Sequence, residues 1–196
     1  MNDNATKKRI IDTMCALVAQ RGYDKTSIGQ IADAIGIKKA SIYYYFKSKE
    51  EIFLNLVSEL YEDEYLQNPL LLQTDMDDQT FQKELLHFGD ELIDSYFENP
   101  DIRKVYAEID LQTTRIPALK EIACAANERL NQFLLRCMAH GITLGVFPRD
   151  FNTTVNAQLL YMLLVGIDAA ILYDLPIDTK AVWHEAILKL FTRKDL

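Results

Sequence analysis

An all-α fold in two domains is predicted for this 196-residue chain. Three observations predict it. Apolar residues recur with the helical period along nearly the whole chain, and no segment sustains the alternation of a half-buried strand. Only 7 Gly and 5 Pro interrupt the chain, too few for a turn-rich β protein. Hydrophobic residues make up 49% and charged residues 26%, a globular composition that excludes disorder, collagen and a disulfide scaffold. Nine helices are expected, in a three-helix N-terminal domain over residues 1–47 and a larger helical domain over 48–196.

Each element has a local cause. Ile10, Ile11, Met14, Leu17 and Val18 share one helix face, and Gly22 supplies the left-handed cap that ends it. Ser27-Ile28-Gly29-Gln30 is a capping box that opens a short helix ending near Ile35, with Gly36 in the turn. A third helix is expected over about 39–45. Ser48 to Glu51 forms a second capping box and opens a helix to about Leu66. Asn68-Pro69 and the acids from Asp75 to Asp78 then mark an extended loop. Further helices read as about 79–98, 100–113, 117–140, 151–173 and 179–192. Pro100 and Pro117 fall in first turns, where a missing N–H costs nothing. Asp150 and Asp178 are the expected N-caps of the last two. Gly141 and Gly145 bracket a turn, and Pro176 ends the apolar helix before it.

Charge is distributed unevenly. Residues 1–49 hold nine Lys/Arg and four acids, a net of +5, against −13 on the remainder of a chain whose total is −8. A basic head on an acidic body orients a polyanion toward the head. Cys15, Cys124 and Cys137 show no metal or redox spacing, and the two later ones are expected to pack. With no secretory leader visible in MNDNATKKRI, reduced cysteines and a cytoplasmic location are expected. No uncharged apolar run reaches the length that crosses a membrane, so no membrane association is expected. His87, His140 and His184 lack metal-ligand spacing, and neither a phosphate-cradling Gly loop nor a Gly-x-Ser-x-Gly elbow occurs. No enzyme, catalytic residue, metal or cofactor is expected.

Residues 28–45 fit a helix-turn-helix. Ala32 is small where the helices meet, Gly36 permits the positive φ of the turn, and Ile42 reaches back to a core of Ile31, Ile35 and Ile37. Lys38, Lys39, Ala40, Ser41, Tyr43 and Tyr44 share the other faces of the third helix, a set suited to phosphate contact and base-edge readout in a major groove. The segment GYDKTSIGQIADAIGIKKASIYYYFKSKEEIF resembles the DNA-binding domain of the TetR (tetracycline-repressor) family of bacterial regulators. The resemblance covers roughly 10–53, about a quarter of the chain; the rest is similar only in helix count and length.

The resemblance implies roles. Ser27 matches a hydroxyl that binds phosphate at the second helix N-terminus. Lys38, Lys39, Ala40 and Ser41 stand at the start of the recognition helix. Tyr43 matches a backbone-contacting tyrosine, Tyr44 a groove-facing residue, and Lys49 a phosphate-binding lysine. Gly29 departs from the family, which often carries a base-reaching side chain there. The resemblance further implies a ligand-responsive homodimeric repressor on a pseudo-palindromic operator, partnered by double-stranded DNA and a small-molecule effector of unknown identity. The alternative is a DNA-silent co-activator or protein-interaction module of the same family. Candidate effector groups are His87, Tyr106, Gln112, Arg115, Arg136, His140, Asn156 and Tyr161. The helix from 151 is apolar nearly all round between Leu159 and Leu172, and Trp183, Ile187 and Leu190 form one stripe on the last helix. These two resemble the family's dimer-forming pair, with Leu163, Gly166, Ile167, Trp183, Ile187 and Leu190 as the expected interface. Asp168 faces either that interface or a pocket.

Overall fold

A computed structural model describes residues 3–62, 69–73, 75–98 and 100–192. Among them lie nine α-helices and no strand: α1 (Asp3–Arg21), α2 (Ile28–Ile35), α3 (Lys39–Tyr45), α4 (Lys49–Leu60), α5 (Asp78–Glu98), α6 (Pro100–Thr113), α7 (Pro117–Thr143), α8 (Thr153–Leu172) and α9 (Thr179–Thr192). A short 3-10 helix, Pro69–Leu72, occupies part of the expected loop.

The chain forms two compact units, Met1–Glu62 with Asn99–Ala125, and Asp63–Glu98 with Ala126–Leu196. The first extends beyond the residue-47 limit read from the sequence. The reason is its core: Ile52, Phe53, Leu56 and Val57 of α4, and Val105 and Ile109 of α6, are buried together with Ile10, Met14, Ile31 and Ile42. Short helices this small cannot bury enough apolar surface among themselves. In the second unit Phe81, Leu85 and Ile93 of α5, Phe133 and Met138 of α7, Leu160 and Leu164 of α8, and Trp183 and Ile187 of α9 make one core.

Several boundaries differ from expectation, each for a local reason. Helix α4 stops at Leu60, with Tyr61 donating back to Val57 O (3.1 Å), short of the expected Leu66. Its last turn carries Glu59 and no basic residue, unfavourable at the negative end of a helix. Positions 63–66 of the expected helix lie outside the described residues. Helix α5 starts one residue early because Asp77 Oδ1 accepts from Thr80 N (2.8 Å); the Thr80 hydroxyl, and after it this N–H, hold the Asp77 carboxyl below its usual range. Helix α7 runs past Gly141, which is helical rather than a turn residue; a Cβ there would sit 2.5 Å from the Phe147 ring. The turn falls at Gly145 alone (φ +76), where Val146 N donates to Gly141 O (2.9 Å). Helix α8 is capped by Asn152, whose Oδ1 accepts from Val155 N (3.0 Å), not by Asp150. Asp178 caps α9 as read, accepting from Ala181 N (3.0 Å).

By length and composition α8 passes for a membrane-crossing helix, as a core helix of a soluble protein also does. Here Leu160, Leu164, Ile167 and Ile171 are buried in the second unit's own core.

Helices α5 and α9 approach at Gly89. A Cβ there would lie 2.0 Å from the Trp183 indole, which is fully buried and donates to Leu86 O (3.1 Å). Gly89→Ala is therefore expected to destabilise the protein by about 1–3 kcal/mol or more through overpacking. Calorimetry checks this; an unchanged melting temperature would show that the indole moves aside freely.

Candidate nucleic-acid interface

The geometry of the turn between α2 and α3 sets everything displayed beyond it. Gly36 has φ +74 and ψ 32; its N–H donates to Asp33 O (3.2 Å), and Ile37 N donates to Ala32 O (3.0 Å). These two bonds are the paired closure of a Schellman motif. They leave Lys38 extended and start α3 at Lys39. Ile42 then falls to 0% exposure in the first unit's core, beside buried Ala32 and Ile31.

With Ile42 fixed inward, the remaining faces of α3 look to solvent. Lys38, Lys39, Ala40, Ser41, Tyr43 and Tyr44 are all exposed, Tyr44 to 75%. Tyr44 meets Tyr45 edge-on (centroids 4.9 Å apart), and the Tyr45 hydroxyl donates to Asp3 Oδ1 (3.3 Å), tying the end of α3 to the start of α1. At the other helix, Ser27 Oγ accepts from Gln30 N (3.3 Å) while Gln30 Oε1 accepts from Ser27 N (2.9 Å). The Ser27 hydroxyl proton stays available, and the N–H groups of Ile28 and Gly29 have no intrahelical acceptor. The exposed face thus presents ammonium groups, hydroxyls, phenols and a helix N-terminus, an arrangement that attracts an anion.

Lys49 sits differently from the other candidates. Its Nζ donates to Tyr23 O (3.0 Å) and lies 4.0 Å from the Tyr23 ring centroid. Desolvation lowers its pKa, and burial pushes the Tyr23 phenol up to about 12. The ammonium is anchored on Tyr23, and keeps two protons to give elsewhere. Two further basic residues are committed internally. Lys8 pairs with Glu59 (2.7 Å) and Asp12 (3.0 Å), and Arg9 donates to Ile35 O (3.0 Å) at the C-terminus of α2. Arg9 was missed as a positioning residue in the sequence; a cation one position before an apolar stripe gives no signal of its distant acceptor.

The eight effector candidates fall in both units. In the first, Tyr106 donates to Leu60 O (3.3 Å), buried Gln112 donates to Glu108 Oε1 (2.9 Å), and Arg115 pairs with Asp24 (3.0 Å). In the second, exposed His87 pairs with Glu91 (3.1 Å), and Arg136 lies 6.0 Å from the Phe133 ring centroid. His140 Nε2 contacts Gln73 O (2.8 Å), Tyr161 donates to Asn127 Oδ1 (3.1 Å), and Asn156 is buried. Of the expected interface residues, Ile167, Trp183 and Ile187 are buried within the chain's own core, so they present no outward face. Leu163 and Leu190 are half-buried and Gly166 is exposed, with nothing within 4 Å of its Cβ position. The outward apolar row of α8 is instead Val155, Leu159, Met162 and Val165, joined on α9 by Val182 and Leu188. Among the thiols, Cys137 is buried and its pKa pushed up to about 12 by that burial, whereas Cys124 is exposed, contrary to the packed position expected. No group of His, Cys, Asp and Glu among the described residues is arranged to hold a metal ion.

Residues 10–56 match the family described as "Bacterial regulatory proteins, tetR family". Over 66 residues the chain is 39% identical to the biofilm operon icaADBC HTH-type negative transcriptional regulator IcaR of Staphylococcus aureus; the match spans 34% of each chain, about a third of that relative's length. A transcriptional regulator from Saccharomonospora viridis, solved in complex with choline, has the same fold (TM-score 0.73, 23% identity, 97% of each chain). So does a TetR-family regulator from Mesorhizobium loti (TM-score 0.77, 20% identity, 97% of this chain and 96% of that one).

The glycines of this surface separate by cause. No atom lies within 4 Å of a Cβ built at Gly36, so only its left-handed φ opposes a side chain. Gly36→Ala is expected to cost ~1–2 kcal/mol of stability. A Cβ at Gly29 would meet only Ser27 Oγ, at 3.8 Å, so Gly29→Ala is expected to gain up to about 1 kcal/mol. Urea denaturation of both variants reads the contrast; equal stabilities would remove the turn argument.

Proposed function

We propose that this chain, whose residues 10–56 match the tetR family of bacterial regulatory proteins, is a cytoplasmic, sequence-specific DNA-binding transcriptional repressor. The observation that carries this reading is the exposed row Lys38, Lys39, Ser41, Tyr43 and Tyr44, held outward by the Gly36 turn and the buried Ile42. Helix α3 enters the major groove, where Lys39 and Tyr44 reach base edges. Ser27, the α2 N-terminus, Tyr43 and Lys49 hold phosphates and set register. Anchored on the Tyr23 carbonyl, the Lys49 ammonium is pre-oriented and spends less side-chain freedom on binding.

Recognition by one seven-residue helix reads few bases, so the working species is a homodimer. The row Leu159, Met162, Val165 on α8 has helical spacing, and Met162 is 64% exposed. Helices α8 and α9 pack on those of a second copy, with Gly166 allowing close approach. A two-fold dimer sets the heads ~34–36 Å apart, one DNA turn, on a pseudo-palindrome. The effector is a small molecule bound in the helical body; the Saccharomonospora viridis regulator binds choline. Such a ligand acts by favouring a dimer whose heads are wrongly spaced for DNA.

A salt-titrated binding assay on the promoter of the protein's own operon, with random DNA as competitor, tests the reading. Tight, competitor-resistant binding with a steep salt slope is expected; equal weak binding to both DNAs would favour a protein-interaction module. Lys49→Ala is expected to weaken specific and random DNA alike, whereas Lys39→Ala should cost about 1–3 kcal/mol more on the operator than on random DNA. Equal losses for Lys39→Ala would remove its base contact. Met162→Asp is expected to give monomers in sedimentation at micromolar protein, with operator affinity falling at least about tenfold; a persisting dimer would place the interface elsewhere.

A further inference from the structure

We propose that the second unit recognises a small molecule that donates hydrogen bonds, with the side-chain oxygens of Asn131 and Asn156 as its acceptors. The proposal rests on the effector-responsive reading above and specifies the chemistry of that ligand.

Asn156 lies on the buried stripe of α8, one turn before Leu160, and is 6% exposed. Its Nδ2 donates to Asn152 O (2.8 Å), which settles which end of the amide is oxygen. Oδ1 is therefore directed away from that bond. It is shielded from solvent, and no described residue donates to it. Asn131 Oδ1, on α7, is likewise shielded and accepts no hydrogen bond, although the residue as a whole is half-buried. Buried carbonyl oxygens are nearly always paired, because the lost hydration is otherwise uncompensated. Two such atoms on successive helices mark a place suited to accept hydrogen bonds.

One hydrogen bond links the two helices, four residues from Asn131 and five from Asn156. The Tyr161 hydroxyl bond to Asn127 Oδ1 (3.1 Å) joins α7 to α8. Asn131 follows Asn127 along α7, and Asn156 precedes Tyr161 along α8. Both thus lie between that bond and the Gly145 turn through which α7 leads into α8. Their flanking residues Phe133, Leu134, Ala157 and Leu160 are buried in one apolar cluster. A ligand matching this has an apolar body and N–H or O–H groups. A carboxylate or phosphate would set its lone pairs against both oxygens and is rejected.

The test uses the full chain and four probes of similar shape: phenol and benzylamine as donors, toluene and benzoate as controls, titrated calorimetrically. Phenol and benzylamine are expected to bind about tenfold tighter than toluene and benzoate, the worth of one buried hydrogen bond. Asn156→Leu, of equal size, is expected to erase that ratio while keeping toluene affinity. Asn156→Asp serves if the leucine variant fails to fold; it should shift preference further toward benzylamine. Four equal affinities, no binding, or a ratio that survives Asn156→Leu overturns the proposal. So does a crystal structure with an ordered water bridging both oxygens that no probe displaces. Operator binding measured on the same samples separates the two readings: intact DNA binding without probe discrimination defeats only the donor site, and discrimination without DNA binding defeats only the regulator.

Discussion

Two backbone hydrogen bonds at Gly36 and Ile37 decide what the first unit can touch. They fix the angle at which α3 leaves α2. Ile42 is then buried and Lys39, Ser41, Tyr43 and Tyr44 are turned outward in one move. A side chain at Gly36 would press the turn toward ordinary φ, and α3 would rotate about its start. Arg9 reinforces the same place from α1, its guanidinium on the Ile35 carbonyl one residue before the turn. The exposed face of α3 is thus held from behind by bonds made within the first unit.

Counting basic residues overstates the positive field of the head. Of its nine Lys/Arg, Lys8 is neutralised by Glu59 and Asp12, Arg9 closes a helix end, and Lys49 rests on Tyr23. Lys38 and Lys39 are exposed on the face that bears the tyrosines. Local placement, more than net charge, determines where a polyanion is held. The acidic remainder of the chain then disfavours other approaches.

Helix number, the capping box at Ser27, the Gly36 turn and the burial of Ile42 were legible in the sequence because each rests on contacts within about ten residues. The start of α8 was misread because Asp150 and Asn152 are both competent caps, and it is Asn152 Oδ1 that accepts from Val155 N (3.0 Å). Gly141 was misread for a related reason: glycine marks a turn or a close approach, and here it makes room for Phe147. Trp183 and Ile187 were assigned to a dimer face since periodicity shows that a stripe is apolar without showing what covers it. Their cover is α5, through a glycine 94 residues away from Trp183. The bond of Arg9 and the ion pair of Lys8 span 26 and 51 residues, and no local pattern encodes either.

The chain contains a single tryptophan, and it lies at the tightest contact between α5 and α9. Its indole is dry, hydrogen-bonded and enclosed wholly by the second unit. The ten tyrosines include Tyr23, Tyr43, Tyr44, Tyr45, Tyr61 and Tyr106 of the first unit. Tyrosines fall in both units, so the tryptophan alone labels one of them, the second. Emission excited at the red edge of protein absorption follows the second unit alone, so the protein reports, without any attached dye, when that half yields.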